Sequence, residues 1–436
     1  MTHRFFTILK PLIVLLFLFC FAEGNAQQWK IWNTSNSNLP SNSLLNLYID
    51  YNNVIWIGSA NAGLIKFDGT NFTSYNTSNS PMKSNYVPSM SVDKFENLWL
   101  CAFRQDNTEG ALMKFDRLSN WSFYNSKNSG IAYGNQFSVT IDTNNVVWCF
   151  YNKLSKFDGT KWKIYDSTNS PLKASIAPEI FTDKHNNKWM GLNFYGLYKL
   201  ENDSIWTIYN PANSGIGGAF ITKIREDALG NFWINISSSG VCKFTLSNNS
   251  WQNWTPQNSN LISAYPWGLH IDKSNRKWIG FGNTETGIAE LIDNLFVYYN
   301  PPIIEGGTSI TDIQEDRFGN LWLSTGNGLM EFNKNGIVDI NNQSSFIPLD
   351  FKIEKVYPNP FNPSTKISYS LKKSSAIELK LFDINGRMIK IIESGFKPAG
   401  SYEINLSAEG LSSGVYFFSL YSEGILMDTK KGVVLK

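Results

Sequence analysis

The stretch that decides the fold is Asn52–Gly69, "NNVIWIGSANAGLIKFDG". Two apolar runs, the first containing Trp56, flank a glycine-punctuated loop, and an Asp-Gly pair follows. Taken alone, the segment fits a ligand-binding strand–loop–strand in which the loop holds a phosphate and Trp56 stacks on a ring. It fits one copy of a repeated structural unit equally well. The rest of the chain decides between these two interpretations.

The same pattern recurs six more times along the chain in degenerate form. Each copy carries a tryptophan, and an aspartate stands six positions before it. The tryptophans are Trp56, Trp99, Trp148, Trp189, Trp233, Trp278 and Trp322. The aspartates are Asp50, Asp93, Asp142, Asp183, Asp227, Asp272 and Asp316. Successive tryptophans are 41 to 49 residues apart, and this period, built from short strands, predicts a β-propeller.

Each copy indicates four antiparallel strands, which make one propeller blade. An apolar run ends at the aspartate, whose side chain favours a tight turn. The tryptophan run and a "GLIKF"-type run form the next two strands, and Asp-Gly marks the hairpin to the fourth. Six fourth strands with paired aromatics follow the first six copies, and the missing one is "WKIWN" at residues 29–33. We therefore predict an all-β fold with a seven-bladed propeller, closed by the N-terminal strand.

The blade pattern D-x-x-x-N-x-W-[IL]-G…G-L-x-[KR]-[FY] resembles the two-component regulator propeller repeats, over roughly residues 29–340. Those repeats are best known from periplasmic sensor regions that detect oligosaccharides. The resemblance implies the propeller fold. It implies no signalling role, because neither a transmembrane helix nor a kinase follows in this sequence.

Composition and the N-terminus place the chain outside the cytoplasm. The 436 residues are 15% aromatic and 17% charged, and the net charge of +2 indicates neither a nucleic acid nor an anionic membrane as partner. Residues 1–26 combine a basic start, an apolar run and small residues up to Ala26, which predicts a signal peptide. No later run reaches the ~20 apolar residues of a membrane span, so we expect none in the mature protein. Cys101, Cys149 and Cys242 lie in apolar runs and are predicted to be buried free thiols.

The sequence changes character after Phe351, where Lys-rich alternating strands predict a small Ig-like β-sandwich. The motifs "VYPNPFNPST" (356–365), "SGVYFFSL" (413–420) and "KKGVVLK" (430–436) resemble the C-terminal sorting domain of type IX secretion substrates. The resemblance implies that residues 352–436 engage the type IX machinery and carry the cargo to the cell surface. The implied motif residues are Tyr357, Pro358, Asn359, Pro360, Gly414, Val415, Tyr416 and Lys436.

The predicted organisation is therefore a signal peptide (1–26), a propeller (27–345), a linker (346–351) and a sorting domain (352–436). The search for catalytic motifs is negative: His185 and His270 are the histidines after residue 26, and neither has a partner at metal-ligand spacing. We therefore expect no catalytic residue, no metal and no cofactor. The repeated aspartates are interpreted as turn residues.

Loop variation on one face is the functional signal. The loops before each first strand and between the second and third strands share that face, and blade two carries the longest insertion. Aromatic rings beside amide side chains suit a sugar. The candidate binding residues are Tyr86, Phe103, Arg104, Asp106, Tyr133, Asn135, Tyr151, Tyr195 and Trp267.

Three functions remain open at this point. The first is a surface-displayed propeller that binds a glycan or peptide without catalysis. The second is a carbohydrate-active enzyme, a glycosidase or polysaccharide lyase, that uses Arg104, Asp106 or Glu109. The third is a purely structural surface protein.

Overall fold

The computed structural model describes residues 28–102, 111–282, 287–302, 309–337 and 351–435, without residues 372, 373, 385, 399 and 423. The predicted signal peptide lies outside the described residues. Within them, nine β-sheets form, and the one helical turn is a 3-10 turn at Leu246–Asn248. Seven four-stranded sheets are the blades of a propeller, and two further sheets form the C-terminal unit. The predicted all-β fold is confirmed.

In blades 1 to 6, four consecutive antiparallel strands run from the axis outward. Blade 1 has β2 (Leu44–Ile49), β3 (Ile55–Ser59), β4 (Leu64–Phe67) and β5 (Phe72–Tyr75). Blade 2 has β6 (Met90–Val92), β7 (Leu98–Ala102), β8 (Ala111–Phe115) and β9 (Trp121–Tyr124). Blade 3 has β10 (Ser138–Ile141), β11 (Val147–Phe150), β12 (Leu154–Phe157) and β13 (Trp162–Tyr165).

The remaining blades follow the same order, except that the last takes its outer strand from the N-terminus. Blade 4 has β14 (Ile180–Thr182), β15 (Lys188–Leu192), β16 (Gly196–Glu201) and β17 (Ile205–Tyr209). Blade 5 has β18 (Ile221–Glu226), β19 (Asn231–Ile236), β20 (Gly240–Thr245) and β21 (Ser250–Trp254). Blade 6 has β22 (Pro266–Ile271), β23 (Lys277–Phe281), β24 (Ile288–Ile292) and β25 (Leu295–Tyr299). Blade 7 has β26 (Ile310–Glu315), β27 (Leu321–Thr325), β28 (Gly328–Phe332) and β1 (Trp29–Trp32).

The repeated aspartate and tryptophan form one hydrogen-bonded unit in every blade. In blade 1, Asp50 Oδ1 accepts the backbone N–H groups of Asn52 and Val54, which shapes the turn. Its Oδ2 accepts the indole N–H of Trp56 at 3.1 Å. The equivalent indole bonds of the other six blades measure 2.8 to 3.1 Å. Because a buried indole N–H needs an acceptor, the aspartate is a structural residue.

The tryptophans pack between blades as their repeated position predicts. The Trp56 ring meets Phe115, on the third strand of blade 2, edge-on at 6.0 Å between centroids. Phe115 in turn stacks at 4.1 Å on Trp121, the first residue of its own outer strand. This repeated aromatic contact joins neighbouring sheets that share no backbone ladder. It contributes about 0.5–1.5 kcal/mol per ring pair beyond the area that it buries.

The N-terminal strand β1 closes the ring as predicted. It pairs antiparallel with β28, from Trp29 opposite Phe332 to Trp32 opposite Leu329. The Trp29 ring lies 4.5 Å from Phe332, and the Trp32 ring stacks at 5.3 Å on Trp322. The pairing covers the β28 edge that an open array would expose.

The repeated aspartates make the free energy of unfolding of the propeller depend on pH. Burial disfavours their charge, but it is outweighed by hydrogen bonds from the tryptophan indole and the turn backbone and by a neighbouring Lys or Arg. The pKa is therefore lowered in Asp93, Asp142, Asp227 and Asp272. A carboxylate with a lowered pKa in the folded state adds stability above the ordinary aspartate pKa, about 3.9. That stability is lost as the pH falls through the lower folded value.

We therefore expect a urea unfolding midpoint that is flat from pH 7 to about pH 5 and that falls steeply below about pH 4. Equilibrium unfolding followed by tryptophan fluorescence at each pH measures it. An unchanged midpoint at pH 3 would contradict the role assigned to these carboxylates.

The C-terminal unit is the two-layer β-sandwich that its sequence predicts, and it has seven strands in the described residues. One sheet contains β29 (Lys352–Tyr357), β30 (Ser364–Leu371) and β33 (Gly400–Ser407). The other contains β31 (Ser375–Asp383), β32 (Met388–Lys397), β34 (Gly414–Ser422) and β35 (Ile425–Val434). Its core lies between the two sheets and includes Ile367, Leu379 and Phe418.

The sequence also predicts buried free cysteines and no membrane span after the signal peptide. Cys101, Cys149 and Cys242 are buried and free, as their apolar surroundings predict. None of the helical structure in the described residues is long and apolar enough to cross a membrane.

Candidate ligand-binding site

A cavity of ≈310 Å³ opens on the propeller axis, on the face that carries the loops before the inner strands. Every blade contributes to its wall the residue that stands five positions before the repeated aspartate. We call these residues the axial ring. They are Leu45, Pro88, Phe137, Pro178, Thr222, Trp267 and Thr311. The other lining residues are Tyr86, Ile176, Asn193, Phe220 and Lys223.

The axial ring faces the cavity because its members stand outside the strand ladders. In blade 1, Leu44 pairs with Ser59 and Asn46 with Gly58, so Leu45 is the extra residue of a β-bulge. The same register shift occurs in blades 5, 6 and 7. In blades 2 to 4 the ring residue precedes the inner strand, and two of the three are prolines, which cannot donate to a ladder. A bulge re-aims a side chain, and here it turns the ring residues of blades 1, 5, 6 and 7 to the axis.

Side chains also hold neighbouring inner strands together at the cavity wall. Asn46 Nδ2 donates to the Val87 carbonyl at 2.8 Å, which joins blades 1 and 2. Thr222 Oγ1 donates to the Pro266 carbonyl at 3.0 Å, which joins blades 5 and 6. Thr311 Oγ1 makes the equivalent bond to the Leu44 carbonyl, also at 3.0 Å, which joins blades 7 and 1. The hydroxyl protons of both ring threonines are therefore committed to the protein.

Four charged residues, three on inner strands and one directly before an inner strand, form a paired cluster next to the cavity. Lys223 Nζ lies 3.1 Å from Asp312 Oδ1 and 3.7 Å from Glu179 Oε1. Arg225 contacts the same two carboxylates, at 2.7 Å from Glu179 and 3.8 Å from Asp312. Each carboxylate also accepts a backbone N–H of the next blade, Glu179 from Ile224 and Asp312 from Leu47. Burial disfavours the Asp312 charge, but Lys223 and Arg225 outweigh it and lower the pKa of Asp312.

Of the binding candidates predicted from the sequence, some line the axial cavity and others do not. Tyr86 and Trp267 line the cavity, and Trp267 is 44% exposed. Tyr133 and Tyr195 are exposed and do not belong to the lining, Tyr151 packs beside Gly134, and Asn135 is buried at 2% exposure. Phe103, Arg104, Asp106 and Glu109 lie outside the described residues.

Sequence reasoning missed most of the axial ring, including Leu45, Phe137, Thr222 and Thr311. It also missed Lys223. The available signal was the fixed spacing to the aspartate, because the residue five positions before each one lines the cavity in all seven blades. Loop length and aromatic content do not mark this position.

A second cavity of ≈350 Å³ lies between blades 3 and 4 on the opposite face. Its charged side chains pair with one another: Lys188 Nζ lies 3.0 Å from Asp142 Oδ2, and Lys156 contacts Asp203. Within the described ranges, no group of three His, Cys, Asp or Glu side chains is arranged to hold a metal ion. Among the described residues that line this cavity, no buried polar side-chain atom lacks a hydrogen-bond partner, so the axial cavity is the stronger candidate.

The sorting-type motifs of the C-terminal unit meet at one place in the sandwich. Asn359 accepts the Val433 N–H at 2.8 Å and donates to the Lys431 carbonyl at 3.0 Å. The first motif is thereby fixed to the terminal strand β35. Gly414 pairs with Val434, which brings the middle motif to the same strand. Lys436 lies outside the described residues.

Comparisons with known proteins agree with both parts of the chain. Residues 355–435 match the family model of the secretion system C-terminal sorting domain, and residues 305–327 match that of the two component regulator propeller. No curated protein sequence matches the chain.

Several solved propeller structures are similar to this chain over about 70% of its length. A streptogramin B lyase is 14% identical, with a TM-score of 0.58 over 70% of this chain and 97% of its own. Virginiamycin B lyase from Staphylococcus aureus is also 14% identical, with a TM-score of 0.56 over 70% and 98%. YCF48 bound to D1 peptide is 12% identical, with a TM-score of 0.53 over 70% and 97%. At these identities the likeness shows the fold alone.

The fold and the motifs define a class: a secreted β-propeller that is displayed on the cell surface. More specifically, two component regulator-type propeller repeats are followed by a type IX secretion system C-terminal sorting domain. The sorting domain implies export and attachment to the cell surface, and it implies an interaction with the type IX machinery.

Proposed function

We propose that the propeller is a non-catalytic binding module that holds a glycan or peptide at the cell surface, with the axial cavity as its site. One observation carries the proposal. All seven blades contribute the residue at one repeated position, in a bulge of the inner strand or just before that strand, to a single concave wall. Concave, mostly apolar cavities with a few polar groups are the usual form of small-ligand sites.

The carboxylates beside the cavity support binding rather than catalysis. Glu179 and Asp312 each hold a backbone N–H and a cation, and neither lines the cavity among its described residues. A general acid needs a pKa near the working pH, whereas the pKa of Asp312 is lowered. The lyases named above share only the fold with this chain, so their chemistry does not carry over.

The Trp267→Ala variant tests the proposal. Trp267 combines the largest ring of the cavity wall with 44% exposure, and such aromatic residues carry much of the energy at binding sites. The full chain is screened on a glycan array and a peptide library, and each hit is titrated. We expect Trp267→Ala to weaken binding about thirtyfold or more.

Phe95→Ala is the matched control, because Phe95 is a 67% exposed aromatic on a repeat turn at the opposite face. It should leave the affinity unchanged. Equal affinity of Trp267→Ala and the unaltered chain for every hit would remove the axial cavity as the site. Release of a cleaved product would favour the enzyme instead.

A further inference from the structure

We propose that the axial cavity binds the free C-terminal residue of a peptide whose last side chain is apolar, with Lys223 next to its carboxylate. This inference rests on the proposed function and names the ligand of the same site. It follows from three properties of the described lining: its apolar ring, its one charged side chain, which is Lys223, and the Asn193 side-chain oxygen, which has no hydrogen-bond partner there.

The ring offers apolar surface and few free hydrogen-bonding groups. Leu45, Pro88, Phe137 and Pro178 form one half of it without a polar side-chain atom. Thr222 and Thr311 in the other half donate their hydroxyl protons to main-chain carbonyls. The several hydroxyls of a sugar would find fewer hydrogen-bond partners here than in water, which costs about 1–3 kcal/mol for each group left unsatisfied. An aliphatic or aromatic side chain has no such cost.

The one charge on the described wall is positive, and it belongs to a cluster that is neutral overall, with two cations and two carboxylates. Lys223 is the one charged side chain among the described residues of the lining, since Arg225, Glu179 and Asp312 do not border the cavity there. Arg225 contacts both carboxylates that also hold Lys223. Lys223 therefore shares its counter-ions with a second cation and is able to add a ligand carboxylate to this network. Charge complementarity thus favours an anionic end group on an apolar body.

A peptide terminus also supplies the donor that the wall lacks. Asn193 belongs to the lining, and its Oδ1 atom is buried without a hydrogen-bond partner in the part of the chain that the structure describes. Because this oxygen is not held by a hydrogen bond, the Asn193 amide can turn to present it to the cavity, where the amide N–H of the last peptide residue is a suitable donor. A volume of ≈310 Å³ is at the low end for ligand sites, about 300–1,000 Å³. It therefore suits one residue and not an extended chain.

The test compares free acids with amides on the full chain. Fluorescein-labelled Gly-Gly-Leu, Gly-Gly-Phe and Gly-Gly-Ser are each titrated as the acid and as the carboxamide by fluorescence polarisation. We expect the Leu or Phe acid to bind about tenfold tighter than its amide. We also expect the Ser acid to bind about tenfold or more weaker than the best acid, because it lacks the apolar group.

Three variants test whether the preference for the acid comes from residues of the cavity wall. Lys223→Met should abolish the preference for the acid over its amide, whereas Lys223→Arg should keep the preference. Asn193→Ala should weaken the acid and the amide alike. The acid–amide comparison on the unaltered chain stays decisive if Lys223→Met does not fold, and higher salt should reduce the acid's advantage.

Equal binding of acid and amide, or a preference for Ser, would overturn this inference. Failure of every tripeptide, together with a glycan hit that Trp267→Ala abolishes, would also overturn it while leaving the proposed function intact. Failure of both the tripeptides and the arrays would contradict the proposed function as well.

Discussion

Deletion of residues 27–40 is expected to lower the free energy of unfolding of the whole propeller, not of one blade alone. The deletion removes the four residue pairs between β1 and β28. It also removes Trp29 and Leu39, which are 6% and 3% exposed in the core. The β28 edge is left open, and an exposed edge strand is a template for pairing with another chain. We therefore expect a lower urea midpoint together with concentration-dependent association.

Trp251→Ala is the matched comparison. Trp251 lies in the outer strand of blade 5, and its ring stacks on Phe244 at 4.0 Å. In blade 7 the Trp29 ring lies 4.5 Å from Phe332 in a tilted arrangement. This substitution removes an equivalent ring contact but leaves the propeller closed. Because Trp251 is only half-buried, we expect a cost of no more than about 3 kcal/mol, the low end for a Trp→Ala change, with a single transition and the elution volume of the full chain.

Tryptophan fluorescence in urea and size-exclusion chromatography measure the two effects side by side. The deletion should exceed Trp251→Ala in stability loss, and it alone should produce dimers or larger species. A deletion variant that unfolds at the same urea concentration as the full chain would show that the ring does not depend on β1.

The propeller was predictable from sequence because its repeated residues are bonded to each other. The aspartate and tryptophan six positions apart form one hydrogen-bonded unit, as Asp183 and Trp189 do at 2.8 Å. Substitution of either partner leaves a buried polar group unsatisfied, so both residue types recur in all seven blades. Closure by residues 29–33 followed from counting strands, since one blade lacked its fourth.

The binding cavity was not predictable in the same way. The ring position is occupied by residues as different as Leu45, Pro88 and Trp267, so no residue type marks it. What these residues share is a place outside the strand ladder, and a bulge appears only when the strands are paired. The pairing of Lys223 with Asp312 likewise joins blades 5 and 7, which are far apart in the sequence and adjacent only across the axis. Contacts of this kind depend on the closed ring.

The Asp142→Ala substitution is expected to be the most damaging of the single substitutions considered, at about 3–5 kcal/mol. Asp142 accepts the N–H groups of Asn144 and Val146 and the indole N–H of Trp148, each at 3.0 Å. Its Oδ2 also lies 3.0 Å from Lys188 Nζ of blade 4, and the two side chains are 3% and 5% exposed. Alanine would leave a buried ammonium without its counter-ion and three donors without their acceptor.

Two further variants separate the charge from the turn. Asp158→Ala removes a carboxylate that also accepts two backbone N–H groups, from Thr160 and Lys161, but it does so in an exposed hairpin of the same blade. Its urea midpoint should stay close to that of the unaltered chain. Adding Lys188→Met to Asp142→Ala removes the unpaired charge, so the double variant should be more stable than Asp142→Ala alone. If the double variant is no more stable, the loss comes from the turn and its indole bond. The ion pair between blades 3 and 4 then contributes little to holding them together.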